Sequence, residues 1–277
     1  MPIQSYLSKL TLALLCIFTI SSCRKEVHNI PLAKTDDIAI MQGFLNPDAD
    51  TVTISLSVAS GISKNKKEIS IDALKNAQIT IESNGIVKSL RFLSETPTMV
   101  IFFLPRTEMP VQQGKTYTVR AKNGDHFSLE ATTTVPESPA DFTFTADGPY
   151  SSSQNNAFYK IKTTIVDFKG QNNFYRTSIL ASSDPNYDPY SRYFTTDEKD
   201  QLAKITLTMQ LDEETYRAGG NTIAVSHISE SYYRFFKSVQ TLEDTGGNPF
   251  AEPTALYTNV SGGIGVLGAM TVSYKDL

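Results

Sequence analysis

Cys23 is the residue whose surroundings most clearly dictate a reaction. It follows Ile20-Ser21-Ser22, an aliphatic residue at −3 and small residues at −2 and −1. Lys9 supplies a positive flank, and Leu10 to Ile20 form an apolar run of eleven residues, too short to span a bilayer as a helix. A positive flank, a short apolar run and small residues before a cut make a secretory signal segment. With cysteine directly after the cut, the pattern is that of a bacterial lipobox. Residues 1–22 are then removed, and Cys23 becomes the first residue, carrying diacylglycerol and palmitate. The acyl chains tie the protein to a membrane, and no other cofactor is expected. Removing the signal also removes Cys16, so the mature chain keeps one cysteine and forms no internal disulfide.

The remaining chemistry-bearing spacings are weaker. Gly263-Ile264-Gly265-Val266-Leu267-Gly268 has the GxGxxG spacing of a dinucleotide turn. That fingerprint needs a helix after it and an acid about twenty residues on. Only nine residues follow Gly268, and Thr271-Val272-Ser273-Tyr274 reads as strand, so a closely packed glycine strand is expected. Asp184, Asn186 and Asp188 have the D-x-N-x-D spacing that begins a calcium loop. Pro189 and Thr195 occupy the places where an EF-hand needs Gly and Glu. An irregular surface calcium loop is what that spacing leaves open; otherwise no metal is expected. Asn46-Pro47-Asp48-Ala49-Asp50 reads as a plain turn. His28, His126 and His227 are the only histidines, and no HExxH, CxxC or GxSxG is present. Asp212-Glu213-Glu214 reads as a charged turn rather than a catalytic pair, and the chain is expected not to be an enzyme. The loop Tyr187-Asp188-Pro189-Tyr190-Ser191-Arg192-Tyr193-Phe194 has the exposed aromatics and paired charges of a contact surface; Tyr187, Tyr190, Arg192 and Tyr193 are its candidate partner-contact residues.

The elements that position these residues read mainly as β. Of 277 residues, 25 are basic and 29 acidic, and loss of Lys9 takes the net charge from −4 to −5. An acidic chain without a Lys/Arg cluster excludes nucleic acid as a partner. Residues 23–36 lack periodicity and form a tether. Strands are expected at Ile38–Phe44, Thr51–Val58, Ala77–Ile81, Ile86–Phe92, Met99–Leu104, Tyr117–Ala121 and Phe127–Val135. Asn84-Gly85 and Asn123-Gly124 supply hairpin turns. Met99–Leu104 is apolar throughout and is expected to be buried on both faces. Seven strands in about a hundred residues predict an immunoglobulin-like or transthyretin-like antiparallel sandwich over 37–137. Pro136-Glu137-Ser138-Pro139 marks the boundary to a second β-rich domain, 138–277. Its strands are expected from Phe142, at Ala157–Asp167, Asn173–Leu180, Ile205–Leu211, Thr222–Ile228 and Gly262–Tyr274, with a long polar loop over 181–196. One amphipathic helix is expected, about 229–242. Ser229 is its cap, and Tyr232, Phe235, Phe236, Val239 and Leu242 form its apolar stripe.

The C-terminal residues Asn248-Pro249-Phe250-Ala251-Glu252-Pro253, Leu256-Tyr257-Thr258-Asn259-Val260 and Gly262 to Ala269 resemble the end of a Bacteroidetes lipoprotein family, domain of unknown function 4249. The aromatic helix around Tyr232 to Val239 is similar to that family's. So are Asn76 to Ile81 followed by Gly114-Lys115-Thr116-Tyr117, the family's strand-then-GxxY order. The resemblance covers nearly the whole mature chain and implies location more than chemistry. Such lipoproteins associate with the outer membrane and are typically encoded beside TonB-dependent transporters. An accessory role in nutrient capture, on a small ligand, peptide or glycan, is what it implies. A structural or adhesive envelope protein is the alternative expectation, and an envelope or glycan hydrolase a third. The family defines no catalytic or ligand residues to carry over. Arg24-Lys25-Glu26 has a single acid after Cys23, which leaves open whether the chain faces the cell surface or the periplasm.

Overall fold

Along Thr51–Ala59, Val52, Ile54 and Leu56 are buried while Thr51 and Thr53 are exposed, the period-two pattern of a strand with one covered face. The same alternation recurs along the chain and builds a mainly β protein. The computed structural model describes residues 36–61, 68–124, 126–138, 141–151, 157–167, 172–180, 192–195, 204–245 and 255–277. The lipobox residues Ile20, Ser21, Ser22 and Cys23 lie outside these. So do Tyr187, Tyr190, Asp184, Asn186 and Asp188.

The first eight strands are β1 (Ile38–Leu45), β2 (Thr51–Ala59), β3 (Gln78–Ser83), β4 (Ile86–Ser89), β5 (Arg91–Glu95), β6 (Met99–Pro105), β7 (Thr116–Asn123) and β8 (Phe127–Thr134). They form two layers. One has the order β1-β2-β6-β5 and the other β4-β3-β7-β8. Between them lies one apolar cluster that includes Met41, Ile54, Leu74, Ile81, Leu104, Val119 and Leu129. The expected strand 86–92 is two strands. Leu90 is buried and donates its N–H to Ile79 O at 2.9 Å, and the chain changes layers there. The expectation of two-sided burial for 99–104 is corrected. Val100, Phe102 and Leu104 are buried, but Ile101 and Phe103 are only half-covered, because no third layer packs on that face among the described residues. The GxxY motif has a physical reason. The hydroxyl of buried Tyr117 donates to Pro110 O at 3.1 Å and accepts from Gln112 N–H at 2.8 Å, tying down the loop before its own strand.

The second strand set is β9 (Phe142–Ser151), β10 (Ala157–Val166), β11 (Phe174–Leu180), β12 (Arg192–Thr195), β13 (Lys204–Asp212), β14 (Thr222–Ile228) and β15 (Ile264–Asp276). The sheet β13-β10-β9 covers β11 and β14 through a second cluster, including Phe142, Ile161, Tyr175, Met209 and Val225. The polar loop expected over 181–196 is corrected at its end. Arg192 to Thr195 are strand, paired from Thr177↔Arg192 to Phe174↔Thr195, as the β-forming Tyr, Phe and Thr favour. Three helices are described rather than one. Ser70 caps the short α1 (Ile71–Lys75), and Asp212 caps α2 (Glu213–Ala218) by accepting from Thr215 N–H at 2.7 Å. Asp212-Glu213-Glu214 is therefore a helix start with carboxylates at its positive end. The expected long helix is α3 (Glu230–Thr245).

Strand β15 joins the two halves. Its residues 264–269 run parallel to β1, from Ile40↔Ile264 to Leu45↔Ala269. Its residues 270–276 run antiparallel to β14. The two cores divide along the chain between Val135 and Phe142, but Val260, Leu267 and Ala269 belong to the first. The C-terminal strand thus crosses the expected boundary. The glycines permit this. Gly265 has φ +123°, and a Cβ there would overlap the main-chain oxygen of its partner Met41. A Cβ on Gly268 would lie 2.9 Å from the ring of Phe44 and 3.1 Å from Tyr232 Cβ. Helix α3 lies over this strand, its Tyr232 and Phe236 rings 5.0 and 5.6 Å from that of Phe44.

Candidate functional site

Three segments converge where the halves meet: the end of β8 with the following linker, the exit from β14 into α3, and residues 257–259. Ser229 fixes the second of these. Its N–H donates to Ala269 O at 2.8 Å, while its hydroxyl accepts from Ala269 N–H at 3.0 Å and from Tyr232 N–H at 3.3 Å. One serine therefore pairs with β15 and caps α3. Asn259 fixes the third. Its Oδ1 accepts from Leu267 N–H, and its Nδ2 donates to Leu267 O, both at 2.9 Å. The side-chain amide takes the place of a neighbouring strand. The same Nδ2 donates to Thr132 O at 3.2 Å.

Between these segments is a cleft of about 580 Å3, within the range of small-ligand sites. One wall is Thr132 to Glu137. The other is Asn172 to Phe174 and His227 to Ser231, and Tyr257 and Asn259 close one end. Thr, Ser and Asn side chains stand among apolar ones in the lining, beside Val135, Phe174 and Ile228. Its carboxylates are Glu137 and Glu230, and Glu230 is paired with Arg234 at 2.6 Å. Arg234 in turn lies 5.9 Å from the Tyr257 ring, at the cleft's end. Thr133 Oγ1 is buried without a hydrogen-bond partner among the described residues.

His227 belongs to the second wall and is only 6% exposed. Its Nδ1 lies 2.8 Å from the main-chain oxygen of Glu137. A carbonyl only accepts, so Nδ1 carries the proton. Thr271 Oγ1 donates to the same oxygen at 2.9 Å. The linker between the halves is thus pinned to the second sheet. The ring stacks on Tyr175 at 4.9 Å, and the Tyr175 hydroxyl donates to Asp167 at 2.8 Å. Burial pushes the imidazole below its ordinary value, opposed by the Glu137 carbonyl and the Asp167 charge.

The family model described as Domain of unknown function (DUF4249) matches residues 25–276. The chain belongs to this family. No curated protein matches it. In this DUF4249 chain the C-terminal motif has a structural meaning. Asn259 ties β15 to β8, Tyr257 borders the cleft, and the glycines let β15 lie against β1 and under α3.

Few of the candidates expected from sequence fall in the cleft. Arg192 and Tyr193 are on β12. His126 is exposed beside its hairpin turn, and Asn46 to Asp50 form a turn in which Asn46 Oδ1 accepts from Asp48 N–H. Among the described residues, no group of three His, Cys, Asp or Glu gathers to hold a metal. Thr132, Thr134, Glu137 and His227 carried no spacing signal, because the cleft assembles from segments about ninety residues apart. Gly114, Tyr257 and Asn259 sat inside recognisable motifs.

Proposed function

We propose that this protein is a lipid-anchored, non-catalytic binding component of the outer membrane. Cys23 carries the acyl chains, and the folded part serves as an accessory to a TonB-dependent transporter in nutrient uptake. The observation that carries the binding role is the cleft between the two halves. It has the volume of a ligand site, and segments far apart in the chain converge on it. The lipobox supports the anchor, and the family resemblance supports the transporter. Deletion of the protein tests the reading: uptake of a transporter's nutrient falls, and a tagged copy purified from native membranes brings the transporter with it. Unchanged uptake and no transporter in the purified material would refute it.

One observation favours a structural or adhesive role instead. Ile86, Val87, Phe92 and Leu93 are all more than two-fifths exposed, on the adjoining edge strands β4 and β5. A purified complex containing envelope polymers or adhesins, with no transporter, would select that reading.

A further inference from the structure

The wall of the cleft formed by β8 is an open sheet edge. β8 is the last strand of its layer, with β7 on one side only. Val135 N–H donates to Lys115 O at 2.9 Å, so residue 135 points its main-chain groups toward the segment leading into β7. In an antiparallel pair that direction alternates, and Glu130, Thr132 and Thr134 therefore point theirs away. Two observations agree. Glu130 exchanges both main-chain hydrogen bonds with Ser261 on the far side, at 3.1 and 2.8 Å. The hydroxyls of Thr132 and Thr134 meet those of Thr118 and Thr116 at 2.9 Å, as the closer spacing of a non-hydrogen-bonded pair allows.

The chain itself therefore occupies the first part of this edge. Ser261 takes Glu130, and Asn259 takes the carbonyl of Thr132. The edge then continues into the cleft, where the N–H of Thr132 and both main-chain groups of Thr134 meet no partner among the described residues. Facing them are the first turn of α3 and the residues around Phe174. Glu137 lies at the same wall and forms no ion pair among the described residues.

We infer that the cleft takes an extended peptide segment of a partner protein, added as a strand to β8 at Thr132 and Thr134, with a basic side chain toward Glu137. This deepens the binding role proposed above and rests on it. Main-chain pairing supplies affinity independent of sequence, and alternate side chains supply selectivity. The occupant continues the line that residues 259–261 begin, and the carboxylate of Glu137 sets the sign of its charge.

The test uses the mature protein with an acetylated positional-scanning heptapeptide library as probe and maltoheptaose as a non-peptide probe. Thr132→Pro deletes an N–H that faces the open edge and leaves the pairing with β7 intact. Val87→Pro makes the same change on the β4 edge, away from the cleft. Pools containing Lys or Arg are expected to bind and to shift the Thr132 and Thr134 amide resonances. Thr132→Pro weakens them about ten-fold with unchanged thermal unfolding, the loss of one hydrogen bond left unmade. Val87→Pro leaves binding as it was. Glu137→Gln removes the preference for basic pools while neutral pools still bind. If Thr132→Pro unfolds the protein, N-methylation of alternate peptide residues reads the same bonds from the other side. Binding of no pool, or binding indifferent to both changes, overturns the inference. So does maltoheptaose shifting these amides when no peptide does. In that last case transporter co-purification persists and the broader binding role stands. Peptide binding without any transporter would instead remove the transporter role.

Discussion

His227 donates its Nδ1–H to the main-chain carbonyl of Glu137 across 2.8 Å, linking a strand of one half to the linker that leaves the other. Because that bond needs a proton on Nδ1 but no charge on the ring, burial can hold the imidazole neutral. The folded state therefore binds a proton less readily than the unfolded chain, whose histidine titrates near 6.5. As pH falls below that value the unfolded state gains a proton first, and stability falls until the folded ring also titrates. Urea unfolding between pH 7.5 and pH 5 should show this loss, and His227→Gln should flatten it. An unchanged pH profile in His227→Gln would assign the dependence elsewhere.

Gly265 and Gly85 separate two kinds of glycine. Both have positive φ, but a Cβ at Gly85 meets nothing within 4 Å, whereas at Gly265 it overlaps the main chain of Met41. Gly85→Ala should cost about 1 kcal/mol, the conformational term alone. Gly265→Ala should cost about 3 kcal/mol or more, because the parallel pairing with β1 must open. Equal losses in chemical denaturation would contradict this account of β15.

Asn259→Ala should cost about 2–3 kcal/mol, because it strands the N–H of Leu267 and leaves Leu267 O to Ser231 alone. Amide exchange at Leu267 should accelerate more than at Val266. Equal protection at Leu267 in the variant would mean that the side chain does not stand in for a strand.

Cys23→Ser should abolish incorporation of labelled palmitate and release the protein from the membrane fraction. Retained label would remove the lipobox reading.

Much of this fold was legible because period-two alternation and the turns at Asn84-Gly85 and Asn123-Gly124 are local signals. Ser229 likewise announced α3 as a cap, although the predicted stripe fades and Leu242 is exposed. Two short helices escaped because five or six residues carry too little periodicity; only the caps Ser70 and Asp212 mark them. Burial of β6 was over-read, since an apolar run does not say whether a second layer covers its other face. The cleft was not legible at all. Thr132 and His227 are brought together by β15, whose parallel pairing with β1 spans more than two hundred residues. The glycine spacing that mimics a nucleotide turn proved to be what such pairing requires.

We propose that the cleft between the halves is where this protein holds its partner at a TonB-dependent transporter. A photo-crosslinking residue in place of Tyr257, expressed in the native cell, measures it directly. Crosslinks to the transporter or its cargo are expected from Tyr257, and none from the same residue placed at Val87. Crosslinks from Val87 with none from Tyr257 would contradict it.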